Sequence, residues 1–262
     1  MKVVGSMAPH LGARNSTVEG LLKALGGVPQ AWNAPVKPDT DIFIAWRLKM
    51  CPNYKQLLKN GVTLVCLDLG YFDDTKFEDY TVSINGVHGE AMHIPVDDLS
   101  ERPHPEIQPW KTDGDRVQII STGFNRRAAK KGLVVTSYPP NWLEETLLEC
   151  KRVFPTKDSY IRYHPKEFPP GEAKPIPFKD TLPETFCSVT YSSTTAVQTL
   201  IAGIPTVVQH IRSPAYDIAS QELKATRPEG REEWIHELSH RNYRMDDAKE
   251  FAAAADYIMR AL

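Results

Sequence analysis

Four consecutive hydroxyl residues, Ser192, Ser193, Thr194 and Thr195, stand between a β-type run, Val189-Thr190-Tyr191, and a helix-like stretch that begins at Thr195. The first turn of a helix carries unpaired N–H groups and a partial positive charge. Hydroxyls beside such groups make a site suited to the oxygens of a pyrophosphate. N-capping alone needs a single hydroxyl, so the run exceeds what capping requires. Two other strand ends carry residue types of the same use. Thr122-Gly123-Phe124-Asn125-Arg126-Arg127 combines a glycine that admits close backbone approach with two arginines able to fork onto phosphate oxygens. His164-Pro165 follows a third strand, with the proline fixing the turn and holding the histidine at the strand end. A solvated basic loop and a polar surface histidine are the plain alternatives for these two stretches.

These residues need elements that bring strand ends together. In the amino-terminal half the pattern predicts strands over 2–6, 41–46 and 62–67, with helices over 17–25 and 53–59 between them. Ser16 is the expected cap of the first helix, with Glu19 as its capping-box partner, and Gly26-Gly27 its stop. The run 62–67 is continuously apolar, as a strand buried on both faces requires. Residues 70–110 are rich in turn formers, aromatics, acids and prolines and are read as an irregular region leading into a linker; within it, 83–89 reads as a hairpin or as a loop carrying His88. A second alternation follows, with strands over 117–121, 159–163, 189–191 and 206–209. Helices are expected over 142–153, capped by Asn141, and over 195–202, 232–238 and 248–262. Strand–helix alternation of this kind is the pattern of parallel sheets covered by helices, here in two halves.

The chain has 262 residues, enough for one large or two small cores. With 31 basic and 33 acidic residues its charge demands no polyanionic partner, although a local basic patch could still bind one. Cys51, Cys66, Cys150 and Cys187 are widely spaced with no C-x-x-C pair, which indicates neither a zinc site nor a redox motif and fits reduced thiols in the cytoplasm. No run approaches the ~20 apolar residues that span a bilayer, and the amino terminus has no signal-peptide pattern, so no membrane partner is expected. The oligomeric state has no signature in the sequence.

The order Arg162-x-His164-Pro165, then a strand, then SSTTAVQTLIAGIPTVV resembles the donor-binding half of GT-B glycosyltransferases. It is most similar to the branch that includes capsule-type sugar transferases, where an HP motif and a Ser-rich loop before a helix hold the nucleotide. The resemblance covers roughly residues 115–225, and nucleotide-sugar epimerases share the same fold and similar loops. It implies an α/β fold of two Rossmann-like domains facing across a cleft, a compact GT-B. Residues 1–110 would form the acceptor side and 111–247 the nucleotide-sugar-binding domain, with a terminal helix over 248–262 crossing back to the first. The implied donor-binding set is Thr122, Gly123, Arg126, Arg127, His164, Ser192, Ser193, Thr194, Thr195 and Gln198. Gln198 stands where many members carry a glutamate that grips the ribose; an amide can still hydrogen-bond a hydroxyl, with weaker charge assistance. The co-substrate implied is a nucleotide sugar, taken as a UDP-sugar, with no bound cofactor and no essential metal. Positive side chains and helix dipoles would then stabilise the leaving diphosphate.

On the acceptor side the strand ends offer His10, Arg47 and Asp68. An inverting transferase needs a carboxylate or histidine to take the proton of the attacking hydroxyl. Asp68 is the expected base and His10 its rival; an ordinary aspartate in the turn before Gly70 is the plain alternative. Arg47, Tyr71, His88, Lys130 and Lys131 are the expected acceptor contacts. In size class and layout the chain is also similar to small phage enzymes that glucosylate hydroxymethylated pyrimidines in DNA, so a 5-hydroxymethyl pyrimidine is the expected acceptor. The stretch Arg126, Arg127, Lys130, Lys131 suits a nucleic-acid backbone. Against it, residues 1–110 hold 10 basic and 13 acidic residues, and a base in a duplex must first be flipped out. A saccharide-directed transferase, a nucleotide-sugar epimerase and a non-catalytic nucleotide-binding module remain as alternatives.

Overall fold

The computed structural model describes residues 1–8, 12–47, 54–72, 78–94, 102–121, 138–164 and 176–262. In chain order the elements begin with β1 (Val3–Met7), α1 (Ala13–Leu25), β2 (Val28–Ala31), β3 (Ile42–Trp46), α2 (Tyr54–Lys59), β4 (Thr63–Leu69) and β5 (Asp79–Ile84). Then come β6 (Arg116–Ile120), α3 (Trp142–Val153), β7 (Asp158–Arg162), α4 (Phe178–Thr181), β8 (Thr185–Thr190), α5 (Thr195–Ile201) and β9 (Thr206–Val208). The chain closes with α6 (Arg231–Ser239), β10 (Asn242–Arg244) and α7 (Ala248–Met259). Two compact units result: Met1–His104 with Ile235–Leu262, and Pro105–Trp234.

The first unit is built on a six-stranded sheet in the order β10-β5-β4-β3-β1-β2. Strands β2, β1, β3 and β4 run parallel, whereas β5 is antiparallel to β4 and β10 antiparallel to β5. All five residues of β3 are buried, so this central strand is apolar throughout. One face, with Ile42, Ile44, Val65, Leu67, Tyr80 and Val82, packs against α1 and α7; the other, with Val4, Phe43 and Leu64, packs on Leu57 of α2. Two glycines set the helix spacing. A Cβ on Gly5 would sit 2.6 Å from Leu22 Cδ1, and one on Gly20 would overlap the Phe251 ring, so α1 lies directly against both β1 and α7.

Three strands escape the sequence reading for separate reasons. β2 is an exposed edge strand containing Pro29, without an apolar run. β5 has a clean two-residue alternation, Tyr80, Val82 and Ile84 against Thr81 and Ser83, inside flanks rich in turn residues. β10 has three residues, and its pairing with β5 puts it in the first unit rather than in a second domain ending at 247. The caps differ as well. Helix α1 starts at Ala13, so Ser16 lies inside it, and Gly12 precedes it without a side-chain bond. Its end has the expected glycine stop: Gly26 is left-handed and Gly27 N–H donates to Leu22 O at 2.8 Å. Asn141 is also left-handed and gives α3 no side-chain cap.

The second unit carries a four-stranded, fully parallel sheet in the order β7-β6-β8-β9. Val117, Ile119, Val189 and Val207 pack with Trp142, Leu143 and Cys150 of α3 on one face; Val208 packs with Ala196 and Leu200 of α5 on the other. The proline-rich stretch that reads as a linker is tied down. Gln108 N–H donates to Ile201 O and Lys111 N–H to Gly203 O, both at 2.8 Å. Buried Arg231 adds its guanidinium to Leu200 O at 3.0 Å and Gln108 O at 2.8 Å, and lies 3.9 Å from the Trp110 ring centre. Cys66, Cys150 and Cys187 are buried free thiols, and burial pushes Cys150 and Cys187 up to about 12, which makes them unreactive packing residues.

Candidate functional site

Because β6, β7, β8 and β9 are all parallel, the residues after each strand arrive at one edge of the second sheet, the edge at which open α/β sheets bind ligands. His164 stands there after β7, half-buried, and the hydroxyl run stands there after β8. The hydroxyls divide into two kinds. Ser193 does the local work: its Oγ accepts from Thr195 N–H at 3.2 Å and from Thr195 Oγ1 at 2.7 Å, while its N–H donates to Thr190 Oγ1 at 3.3 Å. Thr194 precedes α5 and makes no capping bond. Among the described residues the hydroxyls of Ser192 and Thr194 and the amide of Gln198, one turn along α5, have no hydrogen-bond partner, and all three residues are half-buried. Arg162, which opens the R-x-HP motif, is spent on structure: its guanidinium donates to Ile176 O at 2.7 Å and lies over Phe178. Thr122, Gly123, Arg126, Arg127, Lys130 and Lys131 lie outside the described residues.

Sequence reasoning missed an aromatic group at the same edge. Tyr191 directly follows β8 and His210 stands two residues past the end of β9, and their rings lie 4.9 Å apart. Trp142, the first residue of α3, meets Tyr191 edge-on at 5.5 Å and donates its indole N–H to Gln209 Oε1 at 2.6 Å. The available signal was position: Gln209-His210 closes the strand that follows the hydroxyl helix.

In the first unit the structure brings together Arg47, Asp68, Tyr71 and His88. Arg47 follows β3 with a left-handed backbone, φ 63°, and its Nε meets Asp68 Oδ1, near the end of β4, at 2.9 Å. The same oxygen accepts Leu69 N–H at 2.8 Å, which leaves Oδ2 as the oxygen without a partner among the described residues. Tyr71, expected to contact an acceptor, is buried instead. Its hydroxyl lies 3.1 Å from His88 Nδ1, and its N–H donates to Asn242 Oδ1 at 2.8 Å, so it props His88. Burial pushes the Tyr71 hydroxyl up and keeps it protonated. Burial also holds the His88 imidazole below its ordinary value, against the opposing pull of the Asp68 carboxylate. His10 lies outside the described residues.

The expectation of no essential metal drew in part on the lack of an Asp-x-Asp motif, and that reading is wrong, because the sequence holds two such triplets. Asp39 and Asp41 bind Lys2 at the amino end of β1, and Asp113 and Asp115 precede β6, with Asp115 paired to Lys157. Each triplet precedes a parallel strand, β3 or β6, and so stands at the amino edge of its own sheet. Among the described residues no group of three His, Cys, Asp or Glu side chains is arranged to hold a metal ion, and no helix is long and apolar enough to cross a membrane.

No protein-family model matches the chain, and no curated protein matches its sequence. Solved structures do match. One is the KpsC beta Kdo 2,7 transferase of Thermosulfurimonas dismutans, at a TM-score of 0.58 and 11% identity over 100% of this chain and 99% of that one. Another is the KpsC beta Kdo 2,4 transferase of the same organism, at a TM-score of 0.55 and 12% identity over 92% of this chain and 91% of that one. The mixed α/β architecture, with two sheets that are wholly or mainly parallel, is thus the GT-B-like fold of these transferases.

Proposed function

We propose that this chain is a glycosyltransferase that takes a nucleotide-sugar donor at the carboxyl edge of the second sheet and passes the sugar to a hydroxyl acceptor. One observation carries the reading: parallel strands gather the hydroxyl run and His164 at one edge, where Ser192, Thr194 and Gln198 keep polar groups that no described neighbour uses. Ser192 and Thr194 bind the diphosphate, Gln198 a ribose hydroxyl, and His164 and the arginines of the 122–127 stretch stabilise the leaving group as its charge develops, without an essential metal. Asp68, through Oδ2, takes the proton of the attacking hydroxyl; Arg47 fixes the carboxylate and His88 lies within its field, with His10 as the rival base.

The neighbours' names speak for Kdo as a sugar handled by this fold, so a nucleotide-activated Kdo joins the UDP-sugars as a donor to be offered. For the acceptor, the DNA reading rests on size, layout and the basic 126–131 stretch, and the neighbours' names add nothing to it. The test is a thermal-shift screen against nucleoside diphosphates and nucleotide sugars. Transfer assays would then offer each stabilising donor with oligosaccharides and with DNA containing 5-hydroxymethyl pyrimidines. Label entering an acceptor supports transfer. Interconversion of the donor sugar without acceptor would show an epimerase, and tight binding without turnover a non-catalytic module.

A further inference from the structure

The ring pair beside the hydroxyl run has features that phosphate binding does not use. Tyr191 and His210 are inclined by only 32°, so they form a short stack whose outer face a further flat ring can extend. The His210 ring is held in place: its Nδ1 accepts Arg212 N–H at 3.1 Å. Gln209, the first residue after β9, is oriented as well. An indole N–H can only donate, so the bond from Trp142 decides which end of the Gln209 amide faces it. The oxygen faces Trp142 and the NH2 group points away, with no acceptor for it among the described residues. A half-buried amide donor of fixed direction, next to an unfinished stack of rings, matches a planar ring that carries a carbonyl.

We infer that Tyr191, His210 and Gln209 recognise the base of the nucleotide, and that Gln209 selects bases presenting a carbonyl oxygen (uracil, cytosine or guanine) over adenine, which has none. The inference rests on the nucleotide reading of this sheet edge. The base extends the Tyr191–His210 stack and its carbonyl accepts from the Gln209 NH2 group.

The experiment is calorimetric binding of UMP, CMP, GMP, AMP and ribose 5-phosphate to the full chain and to two variants. The wild-type protein should bind the carbonyl-bearing nucleotides about tenfold more tightly than AMP, the effect of one well-placed hydrogen bond. AMP should in turn exceed ribose 5-phosphate through stacking. In Gln209→Glu the indole keeps an acceptor while the donor disappears, so the preference over AMP should vanish. In Tyr191→Leu all four nucleotides should fall toward ribose 5-phosphate by about tenfold. Ratios among ligands of equal phosphate charge are insensitive to a general weakening of either variant. Equal binding of ribose 5-phosphate and the nucleotides would overturn the base assignment and leave the phosphate site standing. AMP binding as tightly as UMP, or a Gln209→Glu variant with an unchanged preference, would remove the role of Gln209. Absence of binding by all five would sink the nucleotide reading and this inference together.

Discussion

Gly203, in the turn between α5 and β9, couples the proline-rich segment to the strand that delivers Gln209 and His210. Its φ of 72° lies in the left-handed region, where an L side chain costs about 1–2 kcal/mol. A Cβ there would overlap Pro109 O and lie 2.8 Å from Pro109 C, both backbone atoms that cannot rotate away. Relieving such a clash means breaking or stretching the bond from Lys111 N–H to Gly203 O, and overpacking of this kind costs about 1–3 kcal/mol. Gly203→Ala should therefore destabilise the second unit by about 2–5 kcal/mol. At roughly 3–5 °C per kcal/mol for a unit of this size, its unfolding transition in scanning calorimetry should fall by at least about 6 °C. Gly203→Asn separates the two contributions, since asparagine tolerates the left-handed backbone but carries the same Cβ. It should recover only the backbone part. An alanine variant within about 1 °C of wild type would refute the reasoning, and full recovery by asparagine would refute the clash with Pro109.

Three further outcomes are expected. Replacing Ser192 and Thr194 together with Ala should weaken nucleoside-diphosphate binding by roughly 1–3 kcal/mol in calorimetry; unchanged affinity would remove the hydroxyl run from the donor site. Asp68→Asn keeps Oδ1 as an acceptor for Arg47 and Leu69, so with the partly exposed ion pair discounted for screening its stability should change by under about 1 kcal/mol. Turnover should nevertheless fall ~10²–10⁴-fold with donor binding retained, and full activity in this variant beside a dead His10→Ala would reverse the two roles. His88 is held below its ordinary value of 6.5 by burial, so below that pH the unfolded chain binds the proton more readily and stability falls as pH falls. Urea midpoints at about pH 7.5 and about pH 5.5 should therefore differ more for wild type than for His88→Gln, and equal differences would exclude His88 as a source of the acid sensitivity.

The elements legible in the sequence were those whose burial leaves a chemical trace. Val62 to Leu67 is apolar because β4 is covered on both faces, and the carboxyl edge of the second sheet was found because hydroxyls accumulate where β8 ends. Strand β10 left no such trace. Asn242-Tyr243-Arg244 is strand because β5 offers it a partner, and that partner lies more than 150 residues earlier in the chain. Ser16 looked like a cap because its type and its spacing to Glu19 were right, yet the helix starts earlier, at Ala13 after a left-handed glycine. Position after a strand singled out Asp68 and Arg47, which the fold pairs, but gave no sign that Tyr71 would turn inward to hold His88. Gln209 and Trp142 are 67 residues apart, and only folding makes one of them orient the other.

The pairing of β10 with β5, and of α7 with α1, also dictates an order of events during synthesis. Residues 105–234 emerge after the amino-terminal strands and contain every element of the second sheet, so that unit can complete itself while the first still lacks its last strand and a covering helix. Until residues 242–259 leave the ribosome, β5 is an open edge, and Leu21 and Leu22 of α1 lack the Ala254, Ala255 and Ile258 surface they pack with. The unit that begins the chain is therefore the last to finish folding. A nascent chain stalled shortly after residue 234 would present a finished carboxyl-side unit beside an amino-terminal sheet exposed to chaperones and to pairing with other chains.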